Sequence, residues 1–373
     1  MYIPRSISID ERLEEGKVLL IYGPRQSGKT SLVQNYLNTT PFKYKFVRGE
    51  YLNVQETLGS LDEQIFRDFV EGIELLVVDE AQAVPHVGTA LKLLIDTFPK
   101  LRIIATGSAS FELAGQVGEP LVGRYSQVTL FPLWEQELIE AHQLDTAYHL
   151  ENSLRYGRYP AVWIQESSLK KEELLYDIVN SYLLKDILSL EDVKRPALLH
   201  RLLQLLSHQV GSEVSVHELA QNLGLARGTV ERYLDLLEKT FIVFPLAAYS
   251  TNPRKEIAKK KKYYFYDLGV RNGLIGNFNE LSQRGDIGAL WENFCILERL
   301  KKNNYKNIHA AVFFWRAVSG GEVDYVELKN DKGCGFEFKW SPKIVKAPGS
   351  FRHDYPQFSW EVVHGKNYRA FVV

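Results

Sequence analysis

The stretch Lys17-Val18-Leu19-Leu20-Ile21-Tyr22-Gly23-Pro24-Arg25-Gln26-Ser27-Gly28-Lys29-Thr30 decides the fold. Its first six residues form an apolar run too short for a helix and rich in Val, Leu and Ile, which predicts a buried strand. The last eight match the phosphate-loop pattern G-x-x-x-x-G-K-[ST] in full, and helical spacing follows over Ser31–Leu37. Strand, loop and helix in that order are the context the pattern needs. Glycines let backbone N–H groups turn inward around phosphates. The helix N-terminus adds the positive end of its dipole. Lys29 brings a point charge to the β- and γ-phosphates, and the Thr30 hydroxyl is suited to Mg²⁺. Gly23, Pro24, Arg25, Gln26, Ser27, Gly28, Lys29, Thr30 and Ser31 are therefore expected to hold ATP with Mg²⁺.

Outward from that loop the pattern repeats. Glu74–Asp79 (ELLVVD) and Leu101–Thr106 (LRIIAT) read as two more buried parallel strands, with a helix over Thr89–Phe98 between them. Strand–helix alternation predicts a doubly wound parallel α/β sheet of the P-loop NTPase kind. The second strand runs into Asp79-Glu80 at the edge where such sheets bind ligands. Asp79 is placed to hold Mg²⁺ through its water shell, and Glu80 to deprotonate an attacking water. The third strand ends in Thr106-Gly107-Ser108. Ser108 is expected either to sense the γ-phosphate or to cap a helix over Ser110–Leu113. Arg124 is expected to stabilise charge on the transferring phosphoryl group, in cis or from a neighbouring subunit; the alternative is a surface salt bridge.

The stretches GPRQSGKT, LLVVDEAQ, IIATGSASFEL and LVGRYSQVTLFPLWEQEL carry a resemblance. Residues 2–135 resemble the prokaryotic AAA+-type (STAND-related) ATP-binding proteins that carry a C-terminal domain of unknown function. The likeness continues through Tyr249…Asn252…Lys255…Lys262-Tyr-Tyr-Phe-Tyr-Asp267-Leu-Gly269. It implies a catalytic Glu80, a sensor near Ser108 and a role for Arg124. Trp134 departs from the small polar residue usual at its position.

Beyond about residue 135 the pattern turns helical, with apolar residues three and four apart in Leu174–Ile187 and Leu198–Leu206. Val216–Glu238 reads as a helix-turn-helix: Glu218–Leu223, a turn at Gly224, then Thr229–Lys239. Its outward residues are Arg227, Thr229, Glu231 and Arg232. A DNA-reading helix and a protein-packing module both fit, because Glu231, Asp235 and Glu238 dilute its positive charge. Lys259–Lys262 reads as a basic loop entering a strand, either a wing touching phosphates or a solvated loop.

Strands are expected at Tyr263–Asp267, Ala311–Arg316, Val323–Leu328 and Gly335–Trp340, with a helix at Ala289–Lys302. Asp324 closing one strand and Glu337-x-Lys339 on the next have the layout of PD-(D/E)XK nucleases, with Glu292 as an additional acid. Two-residue alternation puts Glu337 and Lys339 on one face, and Phe336, Phe338 and Trp340 on the other. The carboxylates suit Mg²⁺ and Lys339 suits water activation. The alternative is a buried salt-bridge cluster on a nuclease-like scaffold.

Composition bounds the rest. The chain has 373 residues with 45% hydrophobic and 24% charged, ordinary for a globular protein of several domains. Two cysteines give no disulfide framework, which fits a reducing cytoplasm. No signal peptide or membrane span is expected, because no uncharged apolar run reaches the ~18 residues needed. Residues 241–373 carry 21 Lys/Arg against 13 Asp/Glu, and the rest 24 against 33, so the basic back suits a polyanion.

The expected domains are a P-loop core over 1–135, a helical lid or linker over 136–205, a winged helix-turn-helix over 206–270 and a nuclease-like α/β domain over 271–373. The expected function is a Mg²⁺-dependent ATPase, a homo-oligomer, coupling hydrolysis to a DNA-binding module with nuclease-like residues. The alternative is an ATP-gated regulatory switch whose C-terminal half binds a protein partner. A small metabolic kinase would not need the C-terminal features.

Overall fold

The computed structural model describes residues 2–108, 121–141, 146–182, 195–250, 261–317, 320–330 and 332–373. They fall into two compact units. The first holds Met1–Pro132 and Lys239–Phe241; the second holds Leu133–Lys185, Val193–Glu238 and Ile242–Val373. The expected Ser110–Leu113 helix, and Lys259 and Lys260, lie outside the described residues. Among the described residues no helix is long and apolar enough to cross a membrane.

The N-terminal unit is the expected parallel α/β sheet. Its elements are β1 (Val18–Tyr22), α1 (Lys29–Leu37), β2 (Tyr44–Arg48), α2 (Leu52–Gly59), α3 (Glu63–Phe69), β3 (Leu75–Asp79), α4 (Val87–Thr97), β4 (Arg102–Thr106) and β5 (Tyr125–Thr129). The strand order is β2-β3-β4-β1-β5, with every pairing parallel. β1 and β3 are buried along their whole length, as unbroken apolar runs require. α4 covers them with Val87, Ala90, Leu91, Leu94 and Ile95, spaced three and four apart. Because the strands run in register, Tyr22, Asp79 and Thr106 end at one edge of the sheet.

The second unit opens with helices: α5 (Glu135–Glu140), α6 (Thr146–Tyr156), α7 (Pro160–Trp163), α8 (Ser168–Asp177), continued by a π-helical turn at Ile178–Tyr182, and α9 (Pro196–His208). Then come β6 (Glu213–Val214), α10 (Val216–Leu223), α11 (Arg227–Lys239), β7 (Val243–Ala248), β8 (Lys261–Phe265) and α12 (Leu268–Ile275). The chain finishes with α13 (Ile287–Tyr305), β9 (Ala311–Arg316), β10 (Glu322–Lys329), β11 (Lys332–Phe338), α14 (Gly349–Asp354), β12 (Ser359–Val363) and α15 (Tyr368–Val372). One seven-stranded sheet joins these strands in the order β12-β11-β10-β9-β7-β8-β6. Its midpoint is a parallel pairing of β7 with β9, Ala247 opposite Phe313, so segments 206–270 and 271–373 share a sheet.

A buried ionic knot ties the helices of this unit to one another. Arg158, 3% exposed, donates to Ser153 Oγ (2.8 Å), to Glu298 (2.8 Å) and to Glu135. Glu298 also accepts from the Glu135 N–H (2.7 Å) and from Lys301 (2.7 Å). Tyr368 donates to Glu135 at 2.7 Å. Burial alone would push the Glu135 carboxyl up, but Arg158 beside it holds it below its usual value. Trp134 begins α5: its N–H donates to Glu137 (2.9 Å) and its indole N–H to the Val372 carbonyl (2.9 Å). The unusual residue thus exchanges a small polar cap for an anchor on the C-terminal helix.

Arg158→Met would leave Glu135 and Glu298 buried without their shared cation. It should lower the stability of this unit by about 3–5 kcal/mol, measured by urea unfolding. A loss below about 1 kcal/mol would show that the knot contributes little net stability.

Candidate functional site

The phosphate loop springs from the end of β1 and closes on the start of α1. Gly23 has φ 144°, and a Cβ there would lie 2.2 Å from the Leu130 carbonyl oxygen, so only glycine fits. Gln26 at φ 61° and Gly28 at φ 99° complete the inward turn. Arg5 clamps the loop from outside, donating to the Ser27 carbonyl (2.7 Å) and the Phe131 carbonyl (2.6 Å). No side chain caps α1 and its first turn holds no acid, which leaves its N-terminal amides suited to an anion. Lys29 is buried, and its ammonium donates to the carbonyls of Gly23 (2.9 Å) and Pro24 (3.0 Å), folded over the loop mouth.

Asp79 is the centre of the constellation. Its carboxylate, 3% exposed, accepts from Thr30 Oγ at 3.0 and 3.1 Å and from Thr106 Oγ at 2.5 Å. Thr106 Oγ also accepts from the Glu80 N–H (3.2 Å). Three elements, α1, β3 and β4, are thereby joined through one carboxylate. Glu80 follows in a left-handed conformation, φ 50°. That conformation turns its side chain away from the line of the strand. Gln82 donates to the Glu80 carboxylate and approaches Ser108 Oγ at 3.5 Å. The structure therefore brings Lys29, Thr30, Asp79, Glu80 and Ser108 to one sheet edge. Thr30 Oγ and the Asp79 carboxylate are adjacent hard oxygen donors, the type that fits Mg²⁺.

Arg124 does not join them. Its carbonyl accepts from Val18 N–H (3.0 Å) at the beginning of β1, whereas the phosphate loop leaves the other end. The length of β1 separates the two, roughly 13 Å at the rise of a strand. Its half-exposed guanidinium pairs with Asp96 on α4. A role in cis is thus replaced by the surface salt bridge within this subunit.

The C-terminal acids do cluster, with an addition. Antiparallel pairing of β10 and β11 sets Tyr325 opposite Phe336, which brings Asp324 beside Glu337. Asp324 is third in β10 rather than at its end, next to an irregularity in the β9 pairing, and accepts from the Phe338 N–H (2.8 Å). Lys339 pairs with Glu337 at 2.6 Å, while Phe336 and Phe338 are buried on the other side. Glu292 reaches in from α13. Lys262 is no wing or solvated loop residue: it is 1% exposed on β8 and contacts Glu322 (2.5 Å) and Glu292 (3.3 Å). Pairing of β8 inside the sheet turns it inward. Tyr264 also donates to Glu292 (2.6 Å).

Burial lifts Glu292 to about 7 although Lys262 opposes it, and burial also raises Asp324 and Glu337. For Lys262, burial pulls the ammonium down, but Glu292 and Glu322 outweigh it and hold it above its usual value. Among the described residues no group of three or more His, Cys, Asp or Glu is arranged to hold a metal ion.

α10 and α11 meet at Gly224, which ends α10 in a left-handed conformation. Ser215 caps α10, accepting from the Glu218 N–H (3.3 Å). Arg227, Glu231 and Arg232 are exposed and Thr229 is half-buried. Arg227 pairs with Glu231 at 2.9 Å. β8 pairs antiparallel with both β6 and β7 beside these helices.

Five contributing residues were not selected from sequence: Arg5, Thr106, Gln82, Lys262 and Tyr264. Thr106 was readable in principle, as the hydroxyl ending the strand next to Asp79. Arg5 and Gln82 carry no periodic signal. Lys262 looked like part of a charge run.

Residues 15–139 match the family model described as an AAA domain. Residues 147–281 match a domain of unknown function (DUF8612), and residues 287–369 another (DUF4143). An uncharacterised protein of Mycobacterium tuberculosis is 29% identical over 331 residues, covering 88% of this chain and 71% of that protein. One of Haemophilus influenzae is 25% identical over 347 residues, covering 84% and 80%. Among solved structures, a DNA replication initiation factor aligns with 60% of this chain and 84% of its own at 16% identity, with a TM-score of 0.24. Residues 15–139 are thus similar to AAA domains, and the N-terminal unit has the parallel sheet and phosphate loop of a P-loop fold.

Proposed function

We propose that this protein binds ATP with Mg²⁺ at the Lys29–Thr30–Asp79–Glu80 edge, hydrolyses it, and couples that cycle to DNA engagement by its C-terminal unit. The observation that carries the first part is the Asp79 carboxylate shared by Thr30 and Thr106, directly before Glu80. Loop amides and Lys29 take the β- and γ-phosphates. Thr30 and Asp79 are the residues that would hold Mg²⁺, which would supply charge neutralisation on the phosphate oxygens. Glu80 accepts a proton as a water oxygen bonds to the γ-phosphorus. The bond to the β,γ-bridging oxygen breaks, and its electron pair leaves with ADP. Arg124, remote in its own subunit, fits a role across a subunit boundary in a homo-oligomer.

Support for DNA comes from the two helices about Gly224, the flanking β6-β8-β7 strands in a winged-helix order, and the basic charge of 241–373. The nuclease-like constellation is read as a structural cluster. Lys262 already supplies a cation to Glu292 and Glu322, and Lys339 supplies one to Glu337. A second reading, an ATP-gated switch that binds a protein partner, is favoured by the pairing of Arg227 with Glu231 on the exposed face of α11.

Lys29→Ala should weaken ATP binding at least ~100-fold by calorimetry, and Glu80→Gln should retain binding while losing at least ~100-fold in turnover. Normal turnover in Glu80→Gln would remove Glu80 as the base. Arg124→Ala should lower turnover only in assembled protein, read by sedimentation alongside the ATPase rate; equal rates for variant and wild type would remove its role across subunits. DNA affinity should fall steeply between low and moderate salt, and absence of binding at low salt would favour the protein-partner switch. Purified protein with Mg²⁺ or Mn²⁺ should leave duplex and single-stranded DNA uncut. Cleavage abolished by Asp324→Ala would overturn the structural reading of the acid cluster.

A further inference from the structure

We infer that Arg5 sets the anion-binding orientation of the phosphate loop: its grip on the Ser27 carbonyl turns the Gly28 N–H toward the phosphates. The inference rests on the ATPase reading above and adds a positioning residue to it. The Arg5 guanidinium forks between two carbonyls, Nη1 donating to Ser27 O at 2.7 Å and Nη2 to Phe131 O at 2.6 Å. Both sides of the fork are anchored. Arg5 lies in a segment pinned by the buried Ile3, Ile7 and Ile9. Phe131 follows Leu130, whose N–H donates to the Tyr22 carbonyl at the end of β1 (2.7 Å). The guanidinium therefore ties the loop to the sheet edge from which the loop departs.

A planar trans peptide points its C=O and its N–H in opposite directions. The Ser27 C=O and the Gly28 N–H belong to one such unit. With the carbonyl drawn to Arg5, the N–H faces away from it, beside the uncapped amides at the start of α1. Rotating that unit by half a turn would exchange the two and set a carbonyl oxygen where phosphate oxygens belong. The backbone on either side is held by the loop and helix themselves. Ser27 N–H donates to the Pro24 carbonyl (3.3 Å), and the Gly28 carbonyl accepts from Leu32 N–H (2.9 Å). Gly28, at φ 99°, has no Cβ to favour one sign of φ. Intrinsic preference thus leaves the two peptide orientations close in energy, and a charge-assisted hydrogen bond from Arg5 decides between them.

The effect is on a population of loop conformers. Without Arg5 a share of the molecules carries the reversed peptide, and apparent affinity falls by the competent fraction. Polyphosphate, once bound, selects the competent orientation, so turnover at saturation is preserved. Arg5 thereby differs from Lys29 and Glu80: it touches the loop and acts through the Gly28 N–H. A cation near the loop also attracts polyphosphate whatever the peptide does. Lysine separates the two effects, because it keeps the charge but lacks the planar fork that spans both carbonyls.

The full chain is compared as wild type, Arg5→Met and Arg5→Lys. Calorimetry in Mg²⁺ gives the affinities for pyrophosphate and for ADP, and steady-state ATP hydrolysis gives kcat and KM. Arg5→Met should weaken pyrophosphate and ADP alike by about tenfold or more and raise KM, while kcat stays within about twofold. Arg5→Lys should remain weakened by about threefold or more. Unchanged affinities in Arg5→Met overturn the inference. Full recovery in Arg5→Lys shows that charge alone acts and also overturns it. A loss for ADP with none for pyrophosphate places Arg5 on the nucleoside, and a fall in kcat at constant KM places it in the chemical step; either overturns the inference. Should Arg5→Met not fold, Arg5→Lys decides. Wild-type protein that binds neither pyrophosphate nor ADP refutes the ATPase reading itself. Binding in wild type with insensitive Arg5 variants refutes only the role of Arg5.

Discussion

A carboxylate buried in a sheet edge must have its charge met, and Asp79 meets it with two hydroxyls from different elements. Thr30 belongs to the helix after the phosphate loop, and Thr106 to the neighbouring strand. That shared acceptor fixes the distance between loop and sheet. It sets where Lys29 folds over the loop mouth and where Glu80 leaves the strand. Every chemical role assigned to this edge depends on that arrangement being stiff before a ligand arrives. Stiffness follows from burial, because unpaired oxygen in that position would cost more than the hydrogen bonds return.

The C-terminal unit solves a comparable problem with full charges. Arg158, Glu135, Glu298 and Lys301 are all nearly solvent-free, and each meets an opposite charge within the group. Around Glu292 the same solution recurs with Lys262 as the cation. In both places a long cationic side chain crosses from one element to another and neutralises acids that sequence alone leaves scattered. Such pairs contribute more to specifying one arrangement than to net stability. They also change what acidic residues can do, since a carboxylate already satisfied by an ammonium has less to offer a metal.

How much was legible follows from the range of each signal. β1, β3 and β4 were readable because a fully buried strand is an unbroken apolar run. β2 (YKFVR) was not, being a half-exposed edge strand with two charges, and β5 (YSQVT) is mostly polar. The phosphate loop was readable because its chemistry lies in eight consecutive residues. Lys29, Thr30, Asp79, Glu80 and Ser108 meet because parallel strands end together, a consequence of topology that alternation predicts. For Arg124 the sequence left a role in cis, a role across subunits and a surface salt bridge open, because spacing along the chain does not say which edge of a sheet a turn occupies; within the subunit it pairs with Asp96. Lys262 was misread because a run of lysines looks solvated until pairing of β8 turns one of them inward. Gln82 closes the quoted stretch LLVVDEAQ, but only three-dimensional hydrogen bonding shows its contact with the Glu80 carboxylate.

The parallel seam between β7 and β9 has a practical meaning for anyone dividing this molecule. A strand severed from its neighbour presents a row of unsatisfied amides and carbonyls, which is a template for self-association. Cutting between Ile275 and Ile287 to isolate the two-helix segment would strip β7 of its partner and open such a margin. The genetic boundary that looks natural in the primary structure is thus a physical wound, and excised fragments would be prone to stick to one another.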